Sequence, residues 1–443
     1  MADSTTVLGF PAVRGREVTV GFDGGDLTSD AGLTLLAAAD RKVGLTAALS
    51  RAVTDRRQAG KVRHSLVEMM QERVYAIAQG YEDANDLDRL KADPALKTAC
   101  GRLPQSGADL ASQPTISRLE NGLSARDLVR MGRTLAQRVI AQLPADTAEV
   151  TLDVDVTDDP CHGQQQLQFF NKFYDDHCYL PLLVYVTGGD GRQRLVGGLL
   201  RPGNVGATTG LRTVLARVVR LLRQRFPEVR IILRADSGFG VAEVLRWCHR
   251  LRIDYVLGLA SNPVVARLST PVQMDAALKY RWEGNGCREF GEFQYAAQSW
   301  EQPERVTVKA EITQGKLNPR YVVSSLQERT PEQVYDYYCA RGDRENRIKE
   351  LKLDLCSGRT SCHSFLANQA RLLLHAVASA LLAVVQAALA GTQWAAAQVS
   401  TLRTRLLKVG ARVVQSCRRI RLHLPTAFPE REVWALLHRR LSG

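Results

Sequence analysis

The sequence predicts an α/β protein built on a mixed β-sheet with helices on its faces. Three β-rich segments follow one another at residues 150–157, 179–188 and 194–204, and helices and strands then alternate from residue 211 to residue 260. Meandering strands followed by alternation indicate a sheet that is antiparallel on one side and parallel on the other. This is the order of a ribonuclease H-like core, which we expect in the middle of the chain.

Each element of this region has its own signal. VTLDVDVT (Val150–Thr157) alternates along the chain as a strand does. Leu211–Phe226 collects Leu and Val on one stripe and its arginines elsewhere, which predicts an amphipathic helix. Arg230–Phe239 is an apolar strand that ends in a carboxylate, and Val241–Arg252 and Asp254–Ala260 are the helix and strand expected after it.

The whole chain divides into five predicted segments. We expect a helical N-terminal DNA-binding region at 1–147, the first part of the ribonuclease H-like core at 148–262, and a β-rich insertion at 263–332. The second part of the core follows at 333–395, and a basic C-terminal helical tail at 396–443 completes the sequence.

Within the N-terminal region, Ser112–Ser124 places Ser and Thr caps and a Pro before short helical runs. A helix-turn-helix-like unit fits this pattern and makes Arg118 available to DNA. An ordinary helical connector fits it equally well.

Charge points toward a polyanionic partner. The chain has 59 Lys and Arg against 46 Asp and Glu, a net charge of +13. Residues 401–443 hold ten Lys and Arg and two Asp and Glu, so most of the excess lies in the tail. Nucleic acid is the commonest partner of such a surface, while a solvated basic helix or a merely basic soluble protein is the alternative.

Several classes of protein are disfavoured. The nine cysteines are scattered and form no Cys-x-x-Cys pair, and Cys356, Cys362 and His363 lack a second ligand pair, so we expect no zinc site. Leu372–Gly391 has nearly the length of a membrane span but is rich in Ala, which favours a buried helix. With no signal peptide pattern at the N-terminus, we expect a cytoplasmic protein without a membrane partner.

Carboxylates occur at the ends of two predicted strands. Asp153 and Asp155 alternate with apolar residues and point to one face, and Asp236 ends the fourth strand. If those strands are neighbours, the carboxylates lie side by side, where they repel unless a cation neutralises them. Oxygen ligands of this kind suit Mg²⁺. Taken singly, each is equally well a turn or cap residue.

A third acid lies on a charged helix predicted at Tyr338–Lys352. Tyr338, Arg341, Glu345 and Lys352 project within roughly 60° of one another, and Lys349 lies near this stripe. A solvated charged face is the alternative. Gly342 costs a helix about 1 kcal/mol relative to Ala, which hints at close packing or a bend.

These residues resemble a known family. The spacing Tyr338-x2-Arg341-x3-Glu345-x6-Lys352 is similar to the Tyr-Arg-Glu-Lys signature of insertion-sequence DDE transposases, in the branch with a β-rich insertion before the glutamate. Further stretches resemble the insertion-sequence thirteen-eighty group, and they are Ser112–Asn121, Asp153–Gln165, Leu200–Asn204, Arg234–Phe239, Arg341–Leu355 and Ala367–Leu372.

The resemblance implies a catalytic and metal-binding triad of Asp155, Asp236 and Glu345. The family's first aspartate stands in an Asp-x-Thr context, which Asp155 matches, whereas Asp153, Asp158 and Asp159 do not. Two Mg²⁺ ions, for which Mn²⁺ would substitute, are implied, because two-metal sites activate a nucleophile and stabilise the leaving oxygen.

The resemblance also implies partners. Tyr338, Arg341 and Lys352 would position DNA phosphates, with Lys349 and Arg118 as further DNA contacts. The expected partners are double-stranded DNA, as transposon-end inverted repeats and target, and a second copy in a synaptic homodimer. Trp282 and Trp300 would stack an extruded base or, as we favour, pack in the core.

Two rival functions remain. One is a ribonuclease H-like nuclease or resolvase without strand transfer. The other is a transposase-derived DNA-binding regulator, which would normally have a broken triad.

Overall fold

The computed structural model describes residues 7–284 and 286–442, with the side chains of residues 343–345 outside the description. The chain forms two compact units. The first, which we call the terminal unit, consists of residues up to Asp127, Asp354–Cys356 and residues from Val377 onward. The second, the central unit, consists of Leu128–Leu353 and Ser357–Ala376.

The terminal unit begins with a hairpin of β1 (Leu8–Val13) and β2 (Arg16–Val20), which turns at Arg14 and Gly15, both with positive φ. The prediction of a helical N-terminal region is wrong for these residues, because alternating apolar residues around a Gly turn favour a hairpin. The elements that follow are β3 (Leu27–Thr28), α1 (Leu33–Val43), α2 (Leu45–Ala52), α3 (Leu66–Gln79), α4 (Leu87–Leu90), α5 (Pro94–Ala99), α6 (Gln113–Gly122) and α7 (Ala125–Ile140), and the boundary between the units falls within α7.

Helix α3 illustrates how local sequence sets these elements. The Ser65 side chain caps it by accepting a hydrogen bond from the Glu68 backbone N–H, and the helix stops at Gly80, whose φ is 91°. Arg73 of α3 is fully buried, and its Nε lies 2.8 Å from Oε1 of Glu120 on α6. This ion pair fixes α6 against α3.

The central unit contains two sheets. Its strands are β4 (Glu149–Val156), β5 (Asp159–Pro160), β6 (Phe169–Asn171), β7 (Asp176–Tyr179), β8 (Leu182–Thr187), β9 (Gln193–Leu199), β10 (Arg230–Ala235), β11 (Asp254–Leu259), β12 (Cys287–Tyr295), β13 (Glu304–Thr313) and β14 (Lys316–Ser324). Its helices beyond α7 are α8 (Leu211–Arg225), α9 (Ala242–Leu251), α10 (Pro263–Leu268), α11 (Thr270–Glu283), α12 (Pro331–Cys339) and α13 (Gly342–Lys349), followed by the start of α14 (Phe365–Ala388).

The larger sheet is mixed, as the sequence predicts. Its eight strands lie in the order β12-β13-β14-β11-β10-β4-β8-β9. Strands β4, β10 and β11 are parallel to their neighbours in that group, whereas β8 and β9 are antiparallel to theirs. The condition for the carboxylates of the first and fourth predicted strands to lie side by side is met, because β4 pairs directly with β10.

Residues 263–332 extend this sheet. The segment starts with the two helices α10 and α11, and its strands β12, β13 and β14 form an antiparallel meander. Strand β14 pairs antiparallel with β11, so the meander continues the main sheet. The close fit of α11 on the meander depends on Gly291, where an added Cβ would lie 2.3 Å from a Val272 methyl group.

The predicted helix Tyr338–Lys352 is interrupted. Helix α12 ends at Cys339, α13 starts at Gly342, and a π-helical turn occupies Glu350–Asp354. The Arg341 N–H bonds to the Tyr338 carbonyl, a three-residue spacing that tightens the chain before Gly342. The prediction of one continuous helix is wrong here, because a low-propensity Gly and this tight turn separate the two helices.

Two predictions about the C-terminal part meet different outcomes. Helix α14 is long and apolar enough to cross a membrane, but 78% of its most apolar window is buried, as predicted for the segment from Leu372. The prediction of a helical tail is wrong in part: Ala411 and Arg412 belong to a strand and pair with Thr28 and Leu27 of β3. The elements of the tail are α15 (Val399–Leu402), a π-helical turn (Arg403–Leu407), β15 (Ala411–Gln415), β16 (Ile420–His423) and α16 (Arg431–Ser442).

Candidate active site

Strands β4 and β10 bring two of the predicted acids together. Arg234 pairs with Asp153 and Ala235 with Val154 in the parallel register, so Asp236 follows β10 at the level of Asp155. Neighbouring strands lie about 4.8 Å apart, which makes the two carboxylates adjacent. The arrangement arises from the sequence because each acid comes at the end of its strand, where the sheet meets solvent.

Both carboxylates reach the surface. Asp155 is half-buried, and its Oδ1 accepts a hydrogen bond of 2.8 Å from the Val156 N–H. The Asp236 side chain is 38% exposed, and its Oδ1 accepts a 2.8 Å hydrogen bond from the Gly238 N–H. Nη1 of Arg341 lies 3.7 Å from Oδ2 of Asp236, so a cation from the α12–α13 junction already faces this acid.

Asp153 has a different environment from Asp155, although both point to the same face. Asp153 is fully buried, and Nε and Nη2 of Arg234 donate to its two oxygens at 2.6 and 3.0 Å. The Gln193 amide donates a third hydrogen bond of 2.9 Å. An acid committed to a buried ion pair is a poor ligand for a solvent ion, so the geometry favours Asp155 as the first acid.

Arg234 also contacts α12, the helix that precedes Glu345 in the chain. Nη1 of Arg234 donates a 2.6 Å hydrogen bond to the Tyr337 carbonyl, and its guanidinium lies 5.0 Å from the centre of the Tyr337 ring. The Tyr337 hydroxyl bonds to the Thr151 hydroxyl on β4. Sequence reasoning missed this cluster of Asp153, Arg234 and Tyr337, although Asp153 and Arg234 each stand two residues before a predicted acid.

The two other acids near Asp155 are also engaged or buried. Oδ1 of Asp158 lies 2.8 Å from Nζ of Lys352, which donates further hydrogen bonds to the Asp158 carbonyl and the Thr157 hydroxyl. Asp159 is 1% exposed, and burial raises its pKa to about 7. Lys352, predicted as a phosphate contact, thus lies at the end of the strand that carries Asp155.

The segment carrying Glu345 borders the same cavity as Asp155. Glu345 belongs to α13, but its side chain lies outside the described residues. A cavity of about 380 Å³ is lined by Asp155, Val156 and Thr157 from β4 and by Ile348, Lys349, Lys352 and Leu353 from the segment that follows Glu345. Among the described side chains, no three His, Cys, Asp or Glu residues form a metal-binding cluster.

Tyr338 packs closely beside Asp236. A Cβ at Gly258 of β11 would lie 2.7 Å from the Tyr338 hydroxyl and 2.7 Å from the Ser237 backbone nitrogen, so only Gly fits there. The Arg341 guanidinium lies 5.8 Å from the centre of the Tyr338 ring. Tyr338, Arg341, Lys349 and Lys352 therefore all belong to the surroundings of the two aspartates.

The remaining predicted contacts are elsewhere. Arg118 is exposed on α6 of the terminal unit, where its Nη2 donates to the Thr115 hydroxyl at 3.2 Å, and it lines a cavity of about 290 Å³. Trp282 is 86% exposed, so the prediction that it packs in the core is wrong. Trp300 is half-buried, with its ring centre 5.2 Å from that of Tyr295.

Comparisons with known proteins find a protein family and solved structures that are similar to this chain. A family model described as "Transposase DDE domain group 1" matches residues 10–443. A solved structure of the piggyBac transposase synaptic complex with hairpin DNA aligns with a TM-score of 0.43 and 13% identity, over 86% of this chain and 79% of that chain. No curated protein matches the chain.

Proposed function

This chain belongs to the DDE transposase family, and from that premise we propose that it binds the terminal inverted repeats of an insertion sequence and catalyses metal-dependent cleavage and transfer of DNA strands. The observation that carries the proposal is the placement of Asp155 and Asp236 at the same level of two paired parallel strands. Two partly exposed carboxylates in that position repel each other unless a cation neutralises their charge. They also supply the hard oxygen ligands that a divalent ion needs.

A ribonuclease H-like core is the proposed fold of the catalytic region. The strand order β9-β8-β4-β10-β11, with two antiparallel and two parallel pairings, supports this assignment. The Tyr-Arg-Glu-Lys signature and membership of the insertion-sequence thirteen-eighty group belong to the same proposal, which rests on the residues that resemble them.

DDE transposases use divalent metal ions, and the donor set here fits such ions. Asp155 and Asp236 offer carboxylate oxygens, which suit hard divalent ions. We propose that these two acids and Glu345 hold two Mg²⁺ ions, which Mn²⁺ can replace. Bound ions of this kind lower the pKa of a coordinated water and neutralise charge on a leaving 3′ oxygen.

The cations around the acids have a separate role, which is to orient DNA phosphates. Arg341 lies beside Asp236 and Lys352 beside Asp158, so each ammonium or guanidinium group is held at the acidic edge before DNA arrives. A phosphate that enters the cavity meets Lys349 as well. Arginine suits two-point phosphate contacts and lysine suits single ones. Tyr338, whose hydroxyl faces Gly258 next to Asp236, is proposed as a further DNA contact.

We propose that the partners are the inverted repeats, the target DNA and a second copy of the chain, because two ends must be cut and joined together. Arg118 and the basic tail would add contacts to the DNA backbone. We place the protein in the cytoplasm, associated with the nucleoid, and without a membrane partner.

The decisive experiment combines Mg²⁺-dependent cleavage and joining assays on DNA that carries the terminal repeats. Asp155→Ala, Asp236→Ala and Glu345→Ala should each abolish cleavage and leave end binding intact, because the acids serve the ions and not the DNA. Asp275→Asn, an exposed acid on α11, is the matched control and should cleave normally. Nicking by the Glu345→Ala protein in Mg²⁺ would contradict the triad.

The same assay separates the rivals. A nuclease or resolvase would release cut strands without joining a 3′ hydroxyl to target DNA. A DNA-binding regulator would bind the repeats and cut nothing.

A further inference from the structure

One buried guanidinium connects the three segments that lead to the proposed metal-binding acids. Arg234 lies on β10, two residues before Asp236. It pairs with Asp153, which lies on β4 two residues before Asp155. The same side chain donates a hydrogen bond to a carbonyl of α12, the helix that precedes α13 and Glu345. Arg234 is 5% exposed, so it acts on bound DNA or metal only through other residues.

Stability alone does not explain the buried pair of Arg234 and Asp153. Moving both charges into the protein costs desolvation free energy, and apolar residues of similar volume are often at least as stabilising. Strands β4 and β10 also need no side-chain connection, because six residue pairs in parallel register already join their backbones. What the guanidinium adds is the connection from the sheet to α12.

That connection lies in the last turn of α12. Nη1 of Arg234 donates to the Tyr337 carbonyl at 2.6 Å. In a continuing helix the Arg341 N–H would bond to this carbonyl, but it bonds to the Tyr338 carbonyl instead. The guanidinium therefore takes the place of a helix hydrogen bond at the point where α12 ends. Two residues separate α12 from α13, so fixing the end of α12 also fixes the start of the helix that carries Glu345.

We propose that Arg234 is a positioning residue that sets the distance between the two aspartates at the sheet edge and the helix that carries Glu345, and thereby the affinity for divalent metal ions. This inference rests on the proposed function, because it concerns ions held by the same three acids. Replacing a residue that orients metal ligands without touching the metal typically changes metal affinity about ten- to a hundredfold.

Arg234→Lys is the first test. Its ammonium keeps the charge pair with Asp153 but lacks the planar fork that reaches a carboxylate and a carbonyl together. We expect a folded protein whose affinity for Mn²⁺ is about ten- to a hundredfold lower than that of the wild type. Its cleavage rate should approach the wild-type value at saturating Mg²⁺. Electron paramagnetic resonance of unbound Mn²⁺ measures the affinity on the free protein, without DNA or cleavage.

A second variant covers the case in which Arg234→Lys folds poorly. Asp153→Asn/Arg234→Met removes both buried charges, so no carboxylate is left unpaired in the interior. It also removes the hydrogen bond to the Tyr337 carbonyl, and it should show the same loss of Mn²⁺ affinity.

Two control variants test whether the contact with α12 is the cause. Tyr337→Phe removes only the hydroxyl that bonds to Thr151 and leaves the backbone carbonyl in place, so it should bind Mn²⁺ as the wild type does. Arg73→Lys changes a matched arginine of the terminal unit, which is also buried, pairs with Glu120 and donates to a backbone carbonyl. It should lower the free energy of unfolding without changing Mn²⁺ affinity.

Three outcomes would overturn the inference: unchanged Mn²⁺ affinity in both Arg234 variants, an equal loss of affinity in Arg73→Lys, or equal binding of Mn²⁺ by the wild type and Asp155→Ala. The last would remove the proposed metal site as well. Failure of transposition alone is distinguishable. In that case Mn²⁺ binding would depend on Asp155 and weaken in the Arg234 variants, while the wild type in Mg²⁺ neither cut nor joined repeat DNA.

Discussion

At the scale of single residues, environment rather than spacing separates acids that look alike. Asp153 and Asp155 stand two residues apart on one strand and share a face, so their sequence contexts differ little. Arg234 on the neighbouring strand neutralises the first and leaves the second at the surface. The difference arises across the sheet, where Arg234 is opposite Asp153 and Asp236 follows at the level of Asp155.

Asp159 gives the protein a predictable pH dependence. Burial raises its pKa from 3.8 to about 7, so the folded state favours the neutral carboxyl. The contribution of the neutral Asp159 carboxyl to folding stability is complete below pH 3.8. It is lost as the pH rises toward 7, because this carboxyl ionises at lower pH in the unfolded chain than in the folded one. The free energy of unfolding of Asp159→Asn should therefore equal that of the wild type near pH 3.8. Above pH 7 it should exceed that of the wild type by at most about 4 kcal/mol.

Urea unfolding of both proteins across that pH range checks this prediction. Glu72, whose pKa burial raises to about 8, titrates in both proteins and cancels in the comparison. A stability difference that does not change with pH would contradict the assignment of Asp159.

At the scale of elements, two glycines near the site should respond oppositely to substitution. A Cβ at Gly342 of α13 meets no described atom within 4 Å, so Gly342→Ala should raise the free energy of unfolding by up to about 1 kcal/mol through helix propensity. At Gly258, an added Cβ would overlap Ser237 and Tyr338, and Gly258→Ala should cost about 1–3 kcal/mol.

Urea unfolding measures both effects, and the cleavage assay adds a second readout. Gly258→Ala should also lower the rate of cleavage, because it displaces the backbone that follows Asp236. An unchanged cleavage rate in this variant would show that the close packing at Gly258 does not affect the position of Asp236. If Gly342→Ala destabilised the protein, the interpretation that Gly342 serves close packing would hold. The open space around an added Cβ argues against that interpretation.

The break between α12 and α13 shows a limit of predicting side-chain positions from helical periodicity. A stripe calculated for one straight helix places Tyr338, Arg341, Glu345 and Lys352 on one face, and the described members of that set do lie near the two aspartates. The helix is interrupted at the Arg341 turn and again by the π-helical turn, so the stripe is approximate. Helical periodicity identifies which residues face one way, but tight turns and extra residues per turn are decided by packing.

At the scale of the whole molecule, charge is the property that governs encounter with DNA. Arg418, Arg419 and Arg421 are exposed on or beside β16, within a tail that holds ten basic residues. Changing all three to Ala should reduce the slope of log affinity against log salt by about 2–3, since each lost phosphate contact removes about 0.9. Filter binding to duplex DNA over a range of salt concentrations gives this slope.

The matched control replaces the same three arginines by lysine, which keeps the charge and should keep the slope. An unchanged slope in the alanine variant would mean that this part of the tail is a solvated surface and that the DNA contacts lie elsewhere.

The sequence by itself determined the mixed sheet and the acids at the ends of its first and fourth strands, because strand alternation and helical periodicity are local signals. That these two strands are neighbours was decided by the tertiary structure. The family match agrees with the resemblance to DDE transposases that those residues carry. Local signals also fixed capped helices such as α3, whose Ser65 and Gly80 mark its limits.

Only the tertiary structure decided which of the clustered acids are neutralised and which remain at the surface. Arg234 reaches Asp153 from another strand, and Lys352 reaches Asp158 from a segment nearly two hundred residues away. The joining of the 263–332 meander to the main sheet and the strands within the basic tail were decided in the same way. Such contacts depend on burial and on partners distant in sequence, which no local pattern encodes.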